Sequence, residues 1–183
     1  MAEFRASIPQ VLLAQAGDRA ALEQLLRGIQ EPLHGYLARL VDDPHLAEDI
    51  LQEVFVLIWR KLRWLRDPEL FRPWVFRIAS REAFRRLKRE RVWSRLLAGP
   101  GLEAQAEDEP AEAVPREWLE QLPGLLAATS PASRAVLLLH YVEGLTLGEV
   151  AAVLALSPGT VKSRLAYGLA ALRQQFRKQG EIP

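Results

Sequence analysis

The segment from residue 146 to residue 165 has the sequence Thr-Leu-Gly-Glu-Val-Ala-Ala-Val-Leu-Ala-Leu-Ser-Pro-Gly-Thr-Val-Lys-Ser-Arg-Leu. Thr146 and Glu149 fit a capping box, in which a hydroxyl caps a helix and a carboxylate three positions later bonds back to the cap residue. A second helix is predicted at Ser157-Pro158, because serine is a favoured cap and proline a favoured first helical residue. Two helices joined by a three-residue turn predict a helix-turn-helix.

The second helix of this motif has two chemically different faces. Its apolar residues recur at helical spacing and are expected to be buried; they are Val161, Leu165, Leu169 and Leu172. The other face carries side chains that can bind base edges and phosphates in a major groove, namely Thr160, Lys162, Ser163, Arg164 and Tyr167. This pattern favours a DNA-reading helix, and a plain helical hairpin without a role in DNA binding is the alternative.

Helical spacing of apolar residues extends through most of the chain, and no stretch alternates apolar and polar residues with period two. A polar cap followed by proline marks further helix starts at Asp43-Pro44, Asp67-Pro68 and Ser130-Pro131. Earlier in the chain, one helix is predicted from Asp18 to about Arg27 and another from about Glu31 to Val41. The sequence therefore predicts an all-α protein.

The net charge of the 183 residues is only +1, but the charges are segregated. Thirteen basic residues face four acidic ones between Arg60 and Arg95, and seven acidic residues face one arginine between Leu96 and Leu122. The acidic stretch is also rich in Pro, Gly and Ala, which favours a flexible tether. We predict a helical module over residues 1–95, a flexible acidic linker over 96–115 and a second helical module over 116–183.

Aromatic residues are interspersed among the bases of the first module: Trp64, Phe71, Trp74, Phe76, Phe84 and Trp93. Basic groups neutralise phosphates and aromatic rings stack on unpaired bases. Helical spacing places Arg77, Arg81, Arg85, Lys88 and Arg89 on one face. The pattern is typical of binding to melted or single-stranded DNA. The alternatives are a solvated charged helix for the basic block and a core position for each aromatic residue.

The helix predicted from Pro44 to Arg63 has two stripes. One, expected to face the core, contains Ala47, Ile50, Val54, Leu57 and Lys61. The other contains Glu48, Gln52, Phe55 and Trp59, and such a mixture of large aromatics and polar groups suits a protein-binding surface. Packing of Phe55 and Trp59 against a neighbouring helix remains the alternative.

Several functional classes lack the residues that they require. The chain has no cysteine, and its three histidines have no ligand spacing, so no metal site or thiol chemistry is expected. No phosphate-binding glycine loop and no nucleophile with an adjacent base is present, so no enzymatic activity, cofactor or small-molecule substrate is expected. No apolar run approaches the roughly 20 residues of a membrane span. A cytoplasmic, non-enzymatic protein is predicted.

Four blocks, in order along the chain, resemble the extracytoplasmic-function sigma factors, a group of the bacterial sigma-70 family. They are Leu46-Ala-Glu-Asp-Ile-Leu-Gln-Glu-Val-Phe55, Phe71-Arg-Pro-Trp-Val-Phe-Arg-Ile-Ala79, Leu145-Thr-Leu-Gly-Glu-Val-Ala151 and Ser157-Pro-Gly-Thr-Val-Lys-Ser-Arg-Leu165. The resemblance covers about residues 14–176. It implies an alternative sigma factor whose partners are core RNA polymerase and promoter DNA, and it leaves open an anti-sigma factor as a further partner.

The resemblance also implies three sets of site residues. Docking on the coiled-coil clamp of the polymerase largest subunit is implied for Glu48, Asp49, Gln52, Glu53, Phe55 and Trp59. Recognition and melting of the −10 element is implied for Trp64, Phe71, Arg72, Trp74, Arg77, Arg81, Arg85, Lys88 and Arg89. Recognition of the −35 element is implied for Ser157, Gly159, Thr160, Lys162, Ser163, Arg164 and Tyr167.

The chain departs from the family pattern at several positions. Leu46 and Arg85 stand where aspartate is common, and Arg81 stands where asparagine is common, which makes the −10 module more basic. Ala155 occupies a turn position where glycine is frequent, implying a strained backbone or a different turn. Residues 166–169 lack arginines common in the family, and Gly168 is expected to interrupt the helix, which predicts weak −35 contacts.

Two other functions are compatible with parts of this pattern. A stand-alone helix-turn-helix regulator would use only the second module and would bind duplex DNA without polymerase. A sigma-like decoy would sequester an anti-sigma factor and never engage DNA.

Overall fold

The computed structural model describes residues 6–98, 126 and 129–179, and every regular element within these ranges is helical. The elements are α1 (Ile8–Gln15), α2 (Arg19–Val41), α3 (Pro44–Lys61), 3₁₀ turns at Leu62–Trp64 and Pro68–Leu70, α4 (Phe71–Ala98), α5 (Pro131–Leu137), a π turn at Leu138–Val142, α6 (Leu147–Leu154) and α7 (Pro158–Gln179). The all-α prediction is confirmed. None of the described helices combines the length and the hydropathy needed to span a membrane.

The chain divides into two compact units, Met1–Arg86 and Leu87–Pro183, called here the N-terminal unit and the C-terminal unit. Helix α4 extends to Ala98 and so includes the first three positions of the predicted linker. Residues 99–115 of that linker, and residues 116–125 of the predicted second module, lie outside the described residues.

Most of the predicted helix starts are confirmed by their capping hydrogen bonds. The Asp18 carboxylate accepts from the Ala21 amide at 3.0 Å, and the Asp43 carboxylate accepts from the His45 amide at 2.9 Å. Asp67 differs, because it caps the short 3₁₀ turn Pro68–Leu70 and the α-helix itself begins only at Phe71. The Asp-Pro signal therefore marks the right place but a different type of helix.

Two features of the N-terminal unit differ from the sequence prediction. The two helices predicted between Asp18 and Val41 are a single 23-residue helix, α2, with Pro32 inside it. Proline removes one backbone hydrogen bond, but the buried series Leu25, Ile29, Leu33 and Tyr36 continues across it and holds both halves in one helix. Helix α1, capped by Ser7, is not predicted from the sequence at all.

The core of the N-terminal unit joins α2 to α4 through aromatic residues. Tyr36 and Phe76 are fully buried and their rings meet edge to face, with 5.3 Å between centroids. The Tyr36 hydroxyl lies 2.7 Å from the Ser80 hydroxyl, which itself lies 2.7 Å from the Phe76 carbonyl oxygen. The hydrogen bonds satisfy both hydroxyls in the core, where an unpaired polar group would be costly.

In the C-terminal unit, Gly168 lies within a continuous α7, so the predicted interruption of this helix is wrong. A Cβ atom built on Gly168 would lie 2.7 Å from Cδ1 of the fully buried Leu137. A side chain at this position would collide with the Leu137 side chain of α5, and glycine avoids the collision. Its role is packing.

The turn between α6 and α7 contains the strained backbone that the sequence suggests. Ala155 has φ 54° and ψ 46°, in the left-handed region. A side chain in this region costs roughly 1–2 kcal/mol, whereas glycine adopts it freely.

Replacing Ala155 with glycine should therefore raise the free energy of unfolding of the C-terminal unit by about 1 kcal/mol, the relief of strain minus the added entropy of the unfolded chain. Amide hydrogen exchange in α6 and α7 of the full chain measures this change in the free energy of unfolding. Ala152→Gly is the matched control, since Ala152 is exposed inside α6 and glycine there should cost up to about 1 kcal/mol. A loss of stability in both variants would contradict the strain assignment.

Candidate protein-binding and nucleic-acid-binding surfaces

Helix α3 buries a wider face than the sequence predicts. Ala47, Ile50 and Val54 are fully buried as expected, and Leu51 and Ile58 join them. Leu57 is only half-buried and Lys61 is exposed, so the predicted core stripe is wrong at these two positions. The buried face is complete without Phe55 and Trp59.

The second stripe of α3 faces outward. Glu48, Asp49 and Gln52 are exposed, Phe55 is half-buried, and 66% of Trp59 is accessible to solvent. Packing of Trp59 against a neighbouring helix is therefore not observed within the described residues. A largely exposed tryptophan within a polar rim has the composition of a protein-binding hot spot. We call Glu48, Asp49, Gln52, Phe55 and Trp59 the α3 face.

Glu53, for which polymerase binding is predicted, makes ion pairs within the N-terminal unit. Its carboxylate pairs with Arg86 and lies 3.0 Å from the Arg85 guanidinium, so it ties α3 to α4. Arg85 also donates to Glu82 at 2.8 Å, and this hydrogen bond and charge raise the pKa of Arg85 above its ordinary value. We call these four residues the Glu53 cluster. The sequence gives no local signal for it, because Glu53 and its arginines are 32 and 33 positions apart.

The basic residues of α4 form the exposed face that their spacing predicts. Arg77, Arg81, Arg85, Lys88 and Arg89 are all exposed. Arg77 and Arg81 make no ion pair with any other residue that the structure describes. The charge of Arg85, in contrast, is compensated by two carboxylates. Arg77 and Arg81 are therefore better candidates for phosphate binding than Arg85.

The aromatic residues of this region divide between core and surface. Phe71 is 1% exposed and Phe76 is fully buried, so the assignment of Phe71 to DNA contact is corrected: its ring belongs to the hydrophobic core. Trp74 is half-buried beside Phe71, and the half-buried Arg72 lies with its guanidinium 5.2 Å from the Phe76 ring. Phe84 is half-buried, and the Trp93 side chain lies outside the described residues.

Among the aromatic side chains of this region that the structure describes, Trp64 is the most exposed, at 62%. It belongs to the 3₁₀ turn Leu62–Trp64 between α3 and α4, and the Arg63 guanidinium lies 4.2 Å from the centre of its ring. An exposed ring of this kind, stacked with a cation, is suited to bind an unpaired base next to a phosphate.

The predicted helix-turn-helix is present as α6 and α7. The Thr146 hydroxyl accepts from the Glu149 amide at 3.2 Å, and the Glu149 carboxylate accepts from the Thr146 amide at 2.8 Å, which completes the capping box. The Ser157 hydroxyl accepts from the Thr160 amide at 3.1 Å and so begins α7. Val161, Leu165, Leu169 and Leu172 are buried as predicted.

The outward side of α7 presents a small polar surface. Ser157, Gly159 and Lys162 are exposed, whereas Thr160, Ser163, Arg164 and Tyr167 are half-buried. The Ser157 and Ser163 hydroxyls are engaged in hydrogen bonds within the helix. Ala166, Gly168 and Leu169 face the core. Tyr167, the fourth position of this stretch, is half-buried on the outward side of the helix, so the weakness of the −35 contacts stays a prediction.

Tyr141 of the π turn is half-buried, and burial raises the pKa of its hydroxyl, an effect that the charge of Arg173 partly opposes. Tyr141 thus stays neutral at physiological pH.

Among the described residues, no three acidic or histidine side chains are grouped to hold a metal ion.

These features define an all-α protein that combines an outward-facing pair of aromatic residues on α3, a basic aromatic region and a helix-turn-helix. Two family models match the chain, Sigma-70 region 2 over residues 25–92 and Sigma-70, region 4 over residues 125–174. The chain belongs to the sigma-70 family, in its extracytoplasmic-function group.

Individual relatives agree with this assignment. The chain is 29% identical over 180 residues to the ECF RNA polymerase sigma factor SigK of Mycolicibacterium vanbaalenii, covering 94% of this chain and 89% of the relative. It is 29% identical over 168 residues to the probable RNA polymerase sigma factor RfaY of Xanthomonas campestris pv. campestris, covering 89% of this chain but only 42% of that longer relative. Its fold is similar to CnrH, solved in complex with the cytosolic domain of CnrY, with a TM-score of 0.69 and 26% identity over 94% of this chain and 98% of CnrH.

Proposed function

We propose that this chain is an alternative sigma factor, which binds core RNA polymerase through the α3 face and directs it to promoters. The exposure of Trp59 supports this proposal most strongly. A tryptophan that is 66% exposed leaves a large apolar area in water, and the folding of this unit does not bury it. A partner surface that covers this ring would gain free energy from it.

Promoter recognition is proposed for two surfaces of the chain. The basic face of α4 and the exposed Trp64 would bind the melted −10 strand, with arginines at phosphates and the indole on a base. The outer side of α7 would contact the −35 element through Lys162, Arg164 and the neighbouring polar residues. Each surface alone is small. Attachment of both to one polymerase raises the effective concentration of the second contact once the first has formed.

In this role the chain performs no bond chemistry, and it acts in the cytoplasm, where polymerase and chromosome are found. By analogy with CnrH, whose structure contains the cytosolic domain of CnrY, we also propose a regulatory protein partner of the anti-sigma type. Such a partner would compete with the polymerase if it covers the α3 face.

Binding of a labelled promoter fragment, measured with and without core polymerase, tests the proposal. The full chain should bind core polymerase and should bind the promoter tightly only in its presence. Tight binding to duplex DNA without polymerase would favour a stand-alone regulator, and binding to neither would favour a decoy. Both of these results contradict the sigma-factor proposal.

The two classes of arginine on α4 predict different salt dependences. The logarithm of the affinity for the −10 single strand should fall less steeply with the logarithm of the salt concentration in Arg81→Gln than in the wild type. The magnitude of this slope should decrease by about 0.7, the value for one lost phosphate contact on single-stranded DNA. Arg85→Gln, its matched control on the same face, should change the slope less because Glu82 and Glu53 already hold its guanidinium. Titration of the chain–polymerase complex with the labelled strand at several KCl concentrations gives both slopes. A larger change for Arg85→Gln would contradict the distinction.

A further inference from the structure

Gln15, the last residue of α1, makes a two-pronged contact with the turn that carries Trp64. Its side-chain nitrogen donates to the Leu62 carbonyl oxygen at 2.9 Å and to the Leu65 carbonyl oxygen at 2.7 Å. A primary amide nitrogen carries two hydrogens, so one hydrogen serves each carbonyl. The contact joins residues 47 and 50 positions apart in the sequence.

Backbone hydrogen bonds also hold the turn. The Leu62 amide donates to the Ile58 carbonyl oxygen of α3, and the Leu65 amide donates to the Leu62 carbonyl oxygen at 3.0 Å. The Leu62 and Leu65 side chains are buried and anchor its two ends, whereas Arg63 and Trp64 between them are exposed. Gln15 therefore binds both ends of the segment whose middle presents the Arg63–Trp64 pair.

The packing of α1 itself has other supports. Val11 is fully buried and Ala14 nearly so. Gln10 donates to the Gln24 side chain of α2 at 2.9 Å. Helix α1 is thus joined to α2 without Gln15, and the hydrogen bonds of Gln15 act on the Trp64 turn.

We propose that Gln15 is a positioning residue for promoter recognition, which holds the Trp64 turn in the conformation that stacks on an unpaired base of the −10 strand. The proposal rests on the proposed sigma-factor function and deepens it. Stacking needs the indole at a fixed height and tilt, and the Arg63 guanidinium already lies against the ring. If Gln15 no longer binds the two carbonyls, the turn adopts other conformations. The fraction of molecules whose Trp64 turn can bind the strand then decreases, and the apparent affinity decreases in proportion.

Gln15→Leu is the first test, with Gln10→Leu as its matched control. Both residues are half-buried glutamines of α1, but only Gln15 reaches the turn. We measure the affinity of the chain–core polymerase complex for a labelled single strand that carries the −10 element of a promoter selected from genomic fragments. Gln15→Leu should weaken this affinity about tenfold, since two hydrogen bonds of ordinary strength are lost. Gln10→Leu should change it less than about twofold, and neither variant should change the affinity for core polymerase.

A double-mutant cycle separates positioning from a general structural role. If Gln15 acts through the indole, Gln15→Leu should have little further effect on strand affinity in a Trp64→Ala background. An equal loss in both backgrounds would overturn the proposal, and so would equal effects of Gln15→Leu and Gln10→Leu.

Gln15→Glu supplies a second readout, and it applies also if Gln15→Leu does not fold. An ionised carboxylate has no hydrogen to donate, whereas a protonated one donates a single hydrogen bond. We measure the strand affinity of the Gln15→Glu variant relative to the wild type at several pH values. This relative affinity should be reduced at pH 8 and should recover at lower pH, where the carboxyl group is protonated. A flat profile would overturn the proposal. Failure of the wild-type chain to bind core polymerase or the strand would instead reject the sigma-factor function, which keeps the two failures distinct.

Discussion

Replacing both Phe55 and Trp59 with alanine should weaken binding to core polymerase by at least about a hundredfold. Aromatic hot spots at protein interfaces contribute about 2 kcal/mol or more each, and 1.4 kcal/mol corresponds to a tenfold change in affinity. Trp59 is 66% exposed and Phe55 is half-buried. Their removal should therefore affect the α3 face far more than the fold.

The measurement is a titration of core polymerase with labelled full chain. Leu12→Ala/Leu13→Ala is the matched control, because these side chains are also about half exposed, at 50% and 53%, but lie on α1. The control should bind polymerase like the wild type. Equal binding by Phe55→Ala/Trp59→Ala and the wild type, with both folded by circular dichroism, would show that the polymerase binds elsewhere.

Replacing Gly168 with valine should destabilise the C-terminal unit by about 3 kcal/mol, at the upper end of what inserted atoms cost in a packed core. Even the first added atom would lie 2.7 Å from Leu137 Cδ1 and 3.0 Å from its Cγ. Leu137 is fully buried, so it cannot turn aside into solvent. Helices α5 and α7 would have to separate, and the helix-turn-helix would lose its support.

A pair of alanine variants makes this test independent of helix propensity. Gly148 also lies in a helix, but an added Cβ there would have only the Thr146 hydroxyl oxygen within 4.0 Å. Gly148→Ala should therefore gain about 1 kcal/mol from the better helix propensity of alanine. Gly168→Ala should show no such gain, and its free energy of unfolding should instead be lower than that of the wild type. Amide hydrogen exchange in α5 and α7 reports both, and a gain at Gly168 equal to that at Gly148 would contradict the packing role.

The parts of the fold predicted from the sequence are those with local causes. Capping at Asp18, Asp43 and Ser157 depends on residues within one helical turn, and the sequence shows them directly. Helical spacing alone predicts the basic face of α4 and groups the residues of the α3 face, but it leaves open whether Phe55 and Trp59 are exposed. The strain at Ala155 is one of the two alternatives that the resemblance to the family implies, and it too has a local cause, one residue at one turn position.

The features that the sequence does not predict depend on residues distant along the chain. Whether Phe71 is buried depends on how α4 meets the rest of its unit. The Glu53 cluster and the Gln15 contact join positions more than thirty residues apart. Gly168 suggests a helix break until Leu137 is placed opposite it. The sequence therefore predicts which types of residue form the candidate surfaces. The tertiary structure is needed to tell which of these residues are buried in the core, which form ion pairs and which are exposed.

Run-off transcription measures directly whether this chain acts as a sigma factor. Purified core polymerase is incubated on a promoter selected from genomic fragments with no added protein, with the full chain, or with its Phe55→Ala/Trp59→Ala variant. We expect specific initiation only with the wild-type chain, and we expect the variant to lose both initiation and polymerase binding. Initiation that is the same with and without the chain would contradict the assignment of this protein as a sigma factor.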